Sequence, residues 1–167
     1  MSSVTKMNFV EQQGFGRMED AACERQFSAL MFQPRAIGVL SLAGLITQSS
    51  GLFLALAALL VWNVAVPQWN LFDALYNVLI ARPRGLSRVG PAPAPRRFAQ
   101  GMAAAFMLGI GLSLLGGRMV LAWIFEGFLV LALLSLLVGR FCLGSYIYHL
   151  VTGRKGFANQ TLPWRKA

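Results

Sequence analysis

Two long apolar runs joined by a short glycine-rich turn dominate the second half of the chain. The first run covers residues 98–115, and the second covers residues 119–151 after a turn at residues 116–118. About 20 apolar residues in a helix cross the hydrocarbon core of a bilayer. Helices are favoured there because each backbone hydrogen bond must be satisfied without water. Residues 98–151 therefore predict a transmembrane helical hairpin.

A second apolar stretch, residues 36–66, is interrupted only by the polar segment Thr-Gln-Ser-Ser-Gly at residues 47–51. Two full spans need about 40 residues, whereas one tilted helix needs about 20 to 25. The polar segment is typical of a tight turn, so we predict two short helices, 36–48 and 51–66. A single long kinked span is the alternative.

Basic residues cluster between these two apolar regions and again after the last run. The positive-inside rule places such clusters on the cytoplasmic side, which requires an even number of spans before each of them. We therefore predict four spans, with both termini cytoplasmic. The middle cluster consists of Arg82, Arg84, Arg88, Arg96 and Arg97.

The composition agrees with this class, since 56% of the 167 residues are hydrophobic and only 13% are charged. Lys and Arg outnumber Asp and Glu by 15 to 6. A nucleic-acid-binding protein with this excess would carry more charge in total, whereas here the basic residues flank apolar runs. We expect the arginines of the middle cluster to contact lipid headgroups. The predicted partners are membrane lipids and other integral membrane subunits, not nucleic acid.

The remaining segments are polar or amphipathic. Residues 1–35 predict a polar cytoplasmic arm with a short helix over 18–32 and a loosely ordered start. Residues 67–97 contain an amphipathic interfacial helix over 68–81, followed by a linker rich in proline and arginine. Residues 152–167 form a basic tail. The fold class is an all-α integral membrane protein with four transmembrane helices arranged as two hairpins.

The interfacial helix carries Asn70, Asp73 and Asn77 on one face, at positions i, i+3 and i+7. Apolar side chains occupy the other face. This pattern predicts a helix that lies flat on the cytoplasmic leaflet, with its apolar face in the lipid.

The first arm of the second hairpin carries a small residue at every fourth position. Small side chains let helix backbones approach closely in lipid, where apolar surface supplies no driving force. This small-residue ladder predicts helix packing, first of all against the adjacent last span. Its members are Gly101, Ala105, Gly109, Ser113 and, just beyond the run, Gly117.

Glu126 lies among apolar side chains in the last span, about 12 Å from its start at the usual rise per residue. A charge at that depth is costly, so we expect the carboxyl group to be protonated or paired inside the bundle. One interpretation is a hydrogen bond to a neighbouring helix, for example to Ser113. The other is a proton relay, a polar ligand contact or a hydrogen bond to a cofactor ring.

Cys142, Ser145 and His149 share one face of the predicted last helix and are candidate redox or ligand-binding residues. Cys142 and His149 are about 10 Å apart along an unbroken helix, which is too far for a direct bond. Cys23 and Cys142 have no metal-binding spacing, and a disulfide between them is not expected in the cytoplasm. We predict no metal site and find no complete catalytic set.

Several short motifs are distributed over residues 31–151: Phe32-Gln-Pro-Arg-Ala36, Arg82-Pro-Arg84, Arg97-Phe-Ala-Gln100 and Phe141-Cys-Leu-Gly-Ser145. Together they resemble the DUF4395 family of small bacterial membrane proteins. The resemblance implies a four-span protein of a bacterial cytoplasmic (inner) membrane; some members are joined to thioredoxin-like or rhodanese-like domains. Members typically end the last motif in Cys-Leu-Gly-Cys. Ser145 in place of the second cysteine removes the resolving thiol of a dithiol pair.

The missing catalytic set, the small-residue ladder and the two cytoplasmic arms favour a non-catalytic accessory subunit of a larger membrane complex. An electron-transport or photosynthetic complex that holds a lipid, quinone or pigment fits this description. Two alternatives stay open. One is a membrane subunit of a thiol or sulfur redox system coupled to quinone through Cys142, and the other is a small transporter that uses Glu126.

Overall fold

The computed structural model describes residues 3–86 and 88–164, and every regular element in these ranges is helical. A 3₁₀ turn, Pro67–Trp69, precedes the fifth α-helix, and a π-helical turn, Asn77–Ala81, follows it. The α-helices are α1 Ser3–Gln12, α2 Asp20–Leu30, α3 Phe32–Thr47, α4 Ser50–Ala65, α5 Leu71–Tyr76, α6 Ala94–Leu115, α7 Met119–Leu137, α8 Leu143–Val151 and α9 Lys155–Gln160.

Helix α6 is the centre of the bundle, because it packs along α4, α7 and α8. Helix α3 packs on α4 and α7 and completes the bundle. Where lipid surrounds a protein, such close side-chain contact holds the helices together instead of the removal of apolar surface from water. The largest buried side chains of this core are Phe53 and Leu60 of α4, Met107 and Ile110 of α6, and Leu129 of α7.

Three helical stretches are long and apolar enough to cross a membrane: Asp20–Thr47, Ala94–Leu115 and Met119–Leu137. The first of them combines α2 and α3, which are separated only by Met31. Ser50–Ala65 is also apolar but shorter. The chain is therefore a helical membrane protein with three candidate spans, and the fourth span stays a prediction.

The hairpin of α3 and α4 reaches less far than the hairpin of α6 and α7. The end of α4 and the start of α6 lie at the same level, as shown by the hydrogen bond of 2.8 Å that Arg97 donates to the carbonyl oxygen of Val64. At the other end, a Cβ built on Gly111 would lie 3.2 Å from the carbonyl oxygen of Ser50, where α4 begins. The turn at Gly117 lies about 9 Å farther along α6. The polar turn between α3 and α4 is therefore level with the interior of the second hairpin.

The last apolar run does not form one helix to residue 151, contrary to the prediction. The chain turns at Gly139 and Arg140, which has a left-handed φ of 53°. A Cβ on Gly139 would lie only 2.7 Å from the carbonyl oxygen of Ser135, so a larger residue does not fit in this turn. Cys142 and helix α8 therefore form a separate element after the last span.

The amphipathic helix starts at Leu71, three residues later than predicted, and continues through the π-helical turn to the predicted end at Ala81. Its polar face points into the protein. The Asn70 side chain accepts from the backbone N–H groups of Phe72 and Asp73, which caps the start of α5. Asn77 exchanges two hydrogen bonds with the backbone of Val89. The exposed side chains on the opposite face are Leu71, Leu75, Val78 and Leu79. An apolar outer face is stable where lipid surrounds the helix.

The N-terminal arm is helical from Ser3 and packed, and is not the loosely ordered start that the sequence suggested. Phe9 is 1% exposed, and Gln12 is fully buried. Asn8 donates to the carbonyl oxygen of Leu162 at 3.0 Å, which ties α1 to the C-terminal segment. Burial of its apolar face explains the order of the arm, because its sequence alone is weakly amphipathic.

Candidate functional site

A buried network of polar side chains joins α3, α5 and α6. Arg96 donates to both carboxylate oxygens of Asp73, at 2.9 and 2.7 Å, and to Gln33 Oε1 at 3.0 Å. Gln100 Nε2 donates to the same Gln33 oxygen at 2.9 Å, and Asn70 Nδ2 lies 3.5 Å from it. None of these side chains belongs to a residue more than 7% exposed. Charge-assisted, two-pronged bonds of this kind fix the relative positions of the three helices.

The local sequence explains how the network assembles. Arg96 and Gln100 are four residues apart, so they lie on one face of α6. Asn70 caps α5, so the helix begins at Leu71. With this start, the Asp73 side chain faces Arg96. A buried carboxylate needs such a partner, because leaving it unpaired lowers the stability of the fold by about 3–5 kcal/mol.

This geometry corrects the prediction that Arg96 contacts lipid headgroups. Arg96 is 4% exposed and is paired with Asp73 instead. Arg97 donates to the backbone of Val64. The other members of the middle cluster, Arg82, Arg84 and Arg88, are exposed.

Two adjoining cavities, of about 90 and about 80 Å³, lie beside the network between α3, α6 and α7. The first reaches Arg96 and Gln100, and the second extends along α6 to Phe106, about 15 Å from Arg96. We call the two cavities together the cleft. The residues that line both cavities are Ile37, Ala99, Ala103, Leu133, Leu136 and Cys142.

The cleft lies where α6 presents small side chains between α3 and α7. Ala99 and Ala103 are one helical turn apart and do not fill the space that a Leu or Phe would occupy. Apolar side chains form most of the walls, and polar side chains gather at one end. Apolar walls with a few well-placed polar groups are typical of sites that bind small molecules.

Gln100 is the polar residue at the end of the cleft with unused hydrogen-bonding capacity. Its Oε1 is buried, and no partner for it occurs among the residues that the structure describes. One of its two Nε2 hydrogens is donated to Gln33. The polar end of the cleft therefore includes one acceptor without a partner among the described residues.

A family profile described as "Domain of unknown function (DUF4395)" matches residues 28–152, which include every helix from α3 to α8. The chain belongs to the DUF4395 family. This confirms the resemblance seen in the sequence. A search of curated proteins and a search of solved structures found no match.

Helix α1 and the residues that follow it precede the part of the chain that matches DUF4395, and they close one end of the cleft. Gln13 lines the first cavity. Gln12 accepts the backbone N–H of Cys142 at 2.8 Å, and its own carbonyl oxygen lies 3.0 Å from His149 Nε2. Gly14, with φ of 92°, packs so closely that a Cβ would lie 2.9 Å from the nearest proline atoms. The arm is therefore built into the fold next to the DUF4395 core.

Of the three candidate redox or ligand-binding residues, the structure brings Cys142 and Ser145 together. The Ser145 hydroxyl lies 3.2 Å from Cys142 Sγ and donates to the carbonyl oxygen of Pro95 at 3.2 Å. His149 contacts Gln12 of the arm. Burial raises the pKa of the Cys142 thiol, so the thiol keeps its proton at neutral pH. A protonated thiol is a poor nucleophile.

Neither cysteine is in a disulfide. Cys23 is buried in the same apolar cluster as Cys142, between the arm and the end of the bundle. Across residues 3–86 and 88–164, no group of three or more His, Cys, Asp or Glu side chains is arranged to hold a metal ion.

Glu126 is 9% exposed and accepts a hydrogen bond from Gln48 Nε2 at 3.0 Å. The sequence suggested Ser113 as an example of its partner. Gln48 takes this place because the turn between α3 and α4 is level with the middle of α7. Gln48 itself has a left-handed φ of 47°, which ends α3.

The small-residue ladder does not form one packed face. A Cβ on Gly109 would lie 2.8 Å from the ring of Phe125 in α7, whereas a Cβ on Gly101 would have no neighbour within 4 Å. Ala105 is exposed. Ser113 is buried, and Gly117 lies in the turn after α6 with φ of 67°. Packing of the exposed part of the ladder against another subunit stays a prediction.

The closest helix contacts of α6 occur at glycines outside the ladder. A Cβ on Gly111 would lie 2.7 Å from Leu54 of α4. A Cβ on Gly144 of α8 would lie 2.6 Å from the Cα of Ala99. Gly144 belongs to the Cys-Leu-Gly-Ser motif, so one role of this motif is to let α8 approach α6.

Sequence reasoning did not identify Gln33, Asp73 and Gln100 as members of one site. Gln33 and Gln100 stand in the motifs that resemble the family, and both are polar residues at the edge of an apolar run. A polar residue at the edge of an apolar run is the sequence signal from which Gln33 and Gln100 could have been identified. The pairing itself depends on contacts between residues 23 to 67 positions apart, which no local pattern contains.

Proposed function

We propose that this DUF4395 protein binds a long-chain amphipathic lipid in its cleft and acts as a non-catalytic accessory subunit of a larger membrane complex. An isoprenoid quinone is the class of lipid that we favour. The observation that carries the proposal is the cleft itself, which has apolar walls along α6 and a buried polar end at Arg96 and Gln100. A head group at the polar end and a hydrocarbon tail along the walls would match this polarity.

The shape of the cleft supports a ligand with one tail. Its length of about 15 Å along α6 accommodates a ring and part of a chain, and the rest of the chain extends into the surrounding lipid. The small volumes of the two cavities, about 90 and about 80 Å³, suit one chain rather than two.

The reactive groups are already paired, hydrogen-bonded or protonated, which supports a non-catalytic role. The carboxylate of Asp73 is paired with Arg96, and the Cys142 thiol is protonated and buried. Ser145 donates to a backbone carbonyl. None of these groups is free to act as a general base, because each is held in a neutral or paired state.

For the topology we propose four spans, with α3 and α4 as the first hairpin and both termini in the cytoplasm of a bacterium. The exposed Arg82, Arg84 and Arg88 lie between the hairpins, and Arg154 and Lys155 follow α8. Cysteines introduced one at a time at Gly85, Gly117 and Gly156 test this in intact cells of a variant without Cys23 and Cys142. A membrane-impermeant maleimide should label only the cysteine at position 117. Labelling at position 85 or 156 would overturn the topology.

Purification in a mild detergent, followed by mass spectrometry of the extracted lipids, tests the binding function. We expect the wild-type protein to retain an amphiphile, and Ala103→Trp to lose it because the larger ring fills the cleft. Ala105→Trp is the matched control, because Ala105 is exposed on the same helix. Equal retention by Ala103→Trp and wild type, or no retained lipid in either, would overturn the binding function. A chain that always migrates alone and monodisperse would overturn the role as a subunit.

One observation favours a second candidate, a thiol redox subunit coupled to quinone: Cys142 lines both cavities. In this case Cys142→Ala would abolish the reduction of a quinone by an added thiol while the lipid is still retained. In the function proposed above, Cys142→Ala leaves both properties unchanged.

A further inference from the structure

The orientation of the Gln100 amide is determined by a chain of hydrogen bonds that starts at Asp73. Arg96 can only donate, so the atom of Gln33 that faces it at 3.0 Å must be the oxygen. Gln100 approaches the same oxygen at 2.9 Å and therefore presents its nitrogen there. Gln100 Oε1 must then point away from the network. The flipped orientations of the Gln33 and Gln100 amides, with oxygen and nitrogen exchanged, are thus excluded by donor and acceptor chemistry.

Gln100 Oε1 is left as a buried acceptor on a residue that lines the cleft. Gln100 is 7% exposed, it lines the first cavity, and this oxygen has no partner among the described residues. Buried polar atoms in folded proteins nearly always have a hydrogen-bond partner, so this oxygen points to a donor on a ligand. Three of the five N–H groups of Arg96, which lines the same cavity, donate to Asp73 or Gln33.

We infer that the head group of the bound amphiphile carries a hydroxyl group that donates to Gln100 Oε1. This inference rests on the lipid-binding function proposed above. Among quinones the reduced form can make this bond and the oxidised form cannot, because the hydroxyls of a hydroquinone donate, whereas the carbonyls of a quinone only accept. A long-chain alcohol has the same donor and is the other source of this chemistry.

A set of ligands with matched tails tests the inference. The binding of decyl hydroquinone, decyl quinone, the dimethyl ether of decyl hydroquinone and decanol is measured on the full chain in nanodiscs. Competition with tritiated decyl hydroquinone under reducing, oxygen-free conditions gives relative affinities, and direct titration serves for the quinone. We expect the hydroquinone to bind about tenfold more tightly than its dimethyl ether or the quinone, the size of effect typical of one hydrogen bond.

Gln100→Leu should remove this preference and leave the affinity for the dimethyl ether unchanged. The Gln33 oxygen keeps Arg96 and Asn70 as donors in this variant. Gln100→Met is a second variant of similar length, and the comparison of hydroquinone with its ether in the wild type needs no variant. Ala103→Trp should abolish the binding of every ligand, whereas Ala105→Trp should abolish none.

The outcomes separate the two proposals. A preference for hydroxyl-bearing ligands that Gln100→Leu removes supports the inference, and the relative affinity of decanol then distinguishes an alcohol from a hydroquinone. Equal binding of hydroquinone and its ether, with Ala103→Trp still blocking both, overturns the inference and leaves the lipid site intact. If no ligand binds to the wild type, the proposed function fails and the inference fails with it.

Discussion

The two terminal nitrogens of the Arg96 guanidinium group donate to the two carboxylate oxygens of Asp73, at 2.9 and 2.7 Å. The pair joins α6 to α5, and its side chains are 5% and 9% exposed. It supports the cleft indirectly, because Gln33 and Gln100 take their orientation from it. The stability of the fold and the specificity of the site therefore depend on the same two residues.

Loss of one partner of this pair should destabilise the protein strongly. We expect Arg96→Met to lower the free energy of unfolding by about 3–5 kcal/mol, because Asp73 is left buried and unpaired. Denaturation in detergent micelles, followed by circular dichroism, measures the change. Arg84→Met is the control, and it should change the free energy by less than about 0.5 kcal/mol because Arg84 is exposed.

The double variant Arg96→Met/Asp73→Leu sharpens this prediction. It should be more stable than Arg96→Met alone, because no charge is left buried. A double variant that is less stable than either single variant would show that the network is held by the remaining hydrogen bonds and not by the pair.

The contact between α8 and α6 should tolerate no added methyl group at Gly144. A Cβ there would lie 2.6 Å from the Cα of Ala99, so Gly144→Ala has to push the two helices apart. We expect a loss of about 1–3 kcal/mol in the same denaturation assay. Gly101→Ala on α6 is the matched control, with no atom within 4 Å of the new Cβ. It should be neutral or stabilising by about 1 kcal/mol, from helix propensity alone.

Cys142 should react slowly with alkylating reagents. Its pKa is raised above the ordinary value of 9.0 by burial, so almost no thiolate is present at pH 7. A Cys23→Ser background isolates this thiol. We expect labelling by iodoacetamide at pH 8 to be at least about tenfold slower in the folded protein than in the denatured chain. Rapid labelling at pH 7 would instead favour the thiol redox candidate.

The raised pKa of the Cys142 thiol also predicts how the stability of the protein changes with pH. The folded state holds the Cys142 proton more tightly than the unfolded state, whose thiol ionises near 9.0. Stability from this group is therefore complete below about pH 9 and is lost as the pH rises toward the folded-state pKa. Cys142→Ala should reduce the loss of stability between pH 8 and pH 10.

Glu126 and Gln48 should be energetically coupled across the two hairpins. A double-mutant cycle with Glu126→Leu and Gln48→Leu should give a coupling of about 0.5–2 kcal/mol, as for hydrogen bonds between membrane helices. The same cycle with Glu126→Leu and Ser113→Ala should give a coupling near zero. Glu126→Gln keeps a polar group of the same shape and should cost less than Glu126→Leu. Coupling to Ser113 instead of Gln48 would contradict the structure.

The apolar runs were sufficient to predict helices, a membrane location and the division at residues 47–51. These features follow from hydropathy and chain length, which are local properties. The family resemblance was also visible locally, in motifs such as Arg97-Phe-Ala-Gln100. The break after Leu137 was not predicted, because the run stays apolar through it and only the geometry of Gly139 and Arg140 ends the helix.

The site was harder to predict because it depends on which side of a helix faces the protein. A polar face at Asn70 and Asp73 looks the same in sequence whether it meets water or a buried arginine. For the same reason, Arg96 was grouped with its exposed neighbours. The small-residue ladder was a true pattern of α6, but the partners that decide which glycines pack closely lie on α4, α7 and α8.

In the four-span topology proposed above, the short first hairpin has a consequence for the surrounding bilayer. Helix α4 has 16 residues and advances about 24 Å, against a hydrocarbon thickness of about 30 Å. The α6–α7 hairpin beside it extends about 9 Å farther, so the protein has a thin flank and a thick flank. Lipids next to the turn at Gln48 have to tilt or shorten to match the thin flank. In that topology hydrophobic mismatch would give this small protein a preferred orientation toward any neighbouring subunit, since a partner with an equally short hairpin would relieve that deformation and one of full length would not.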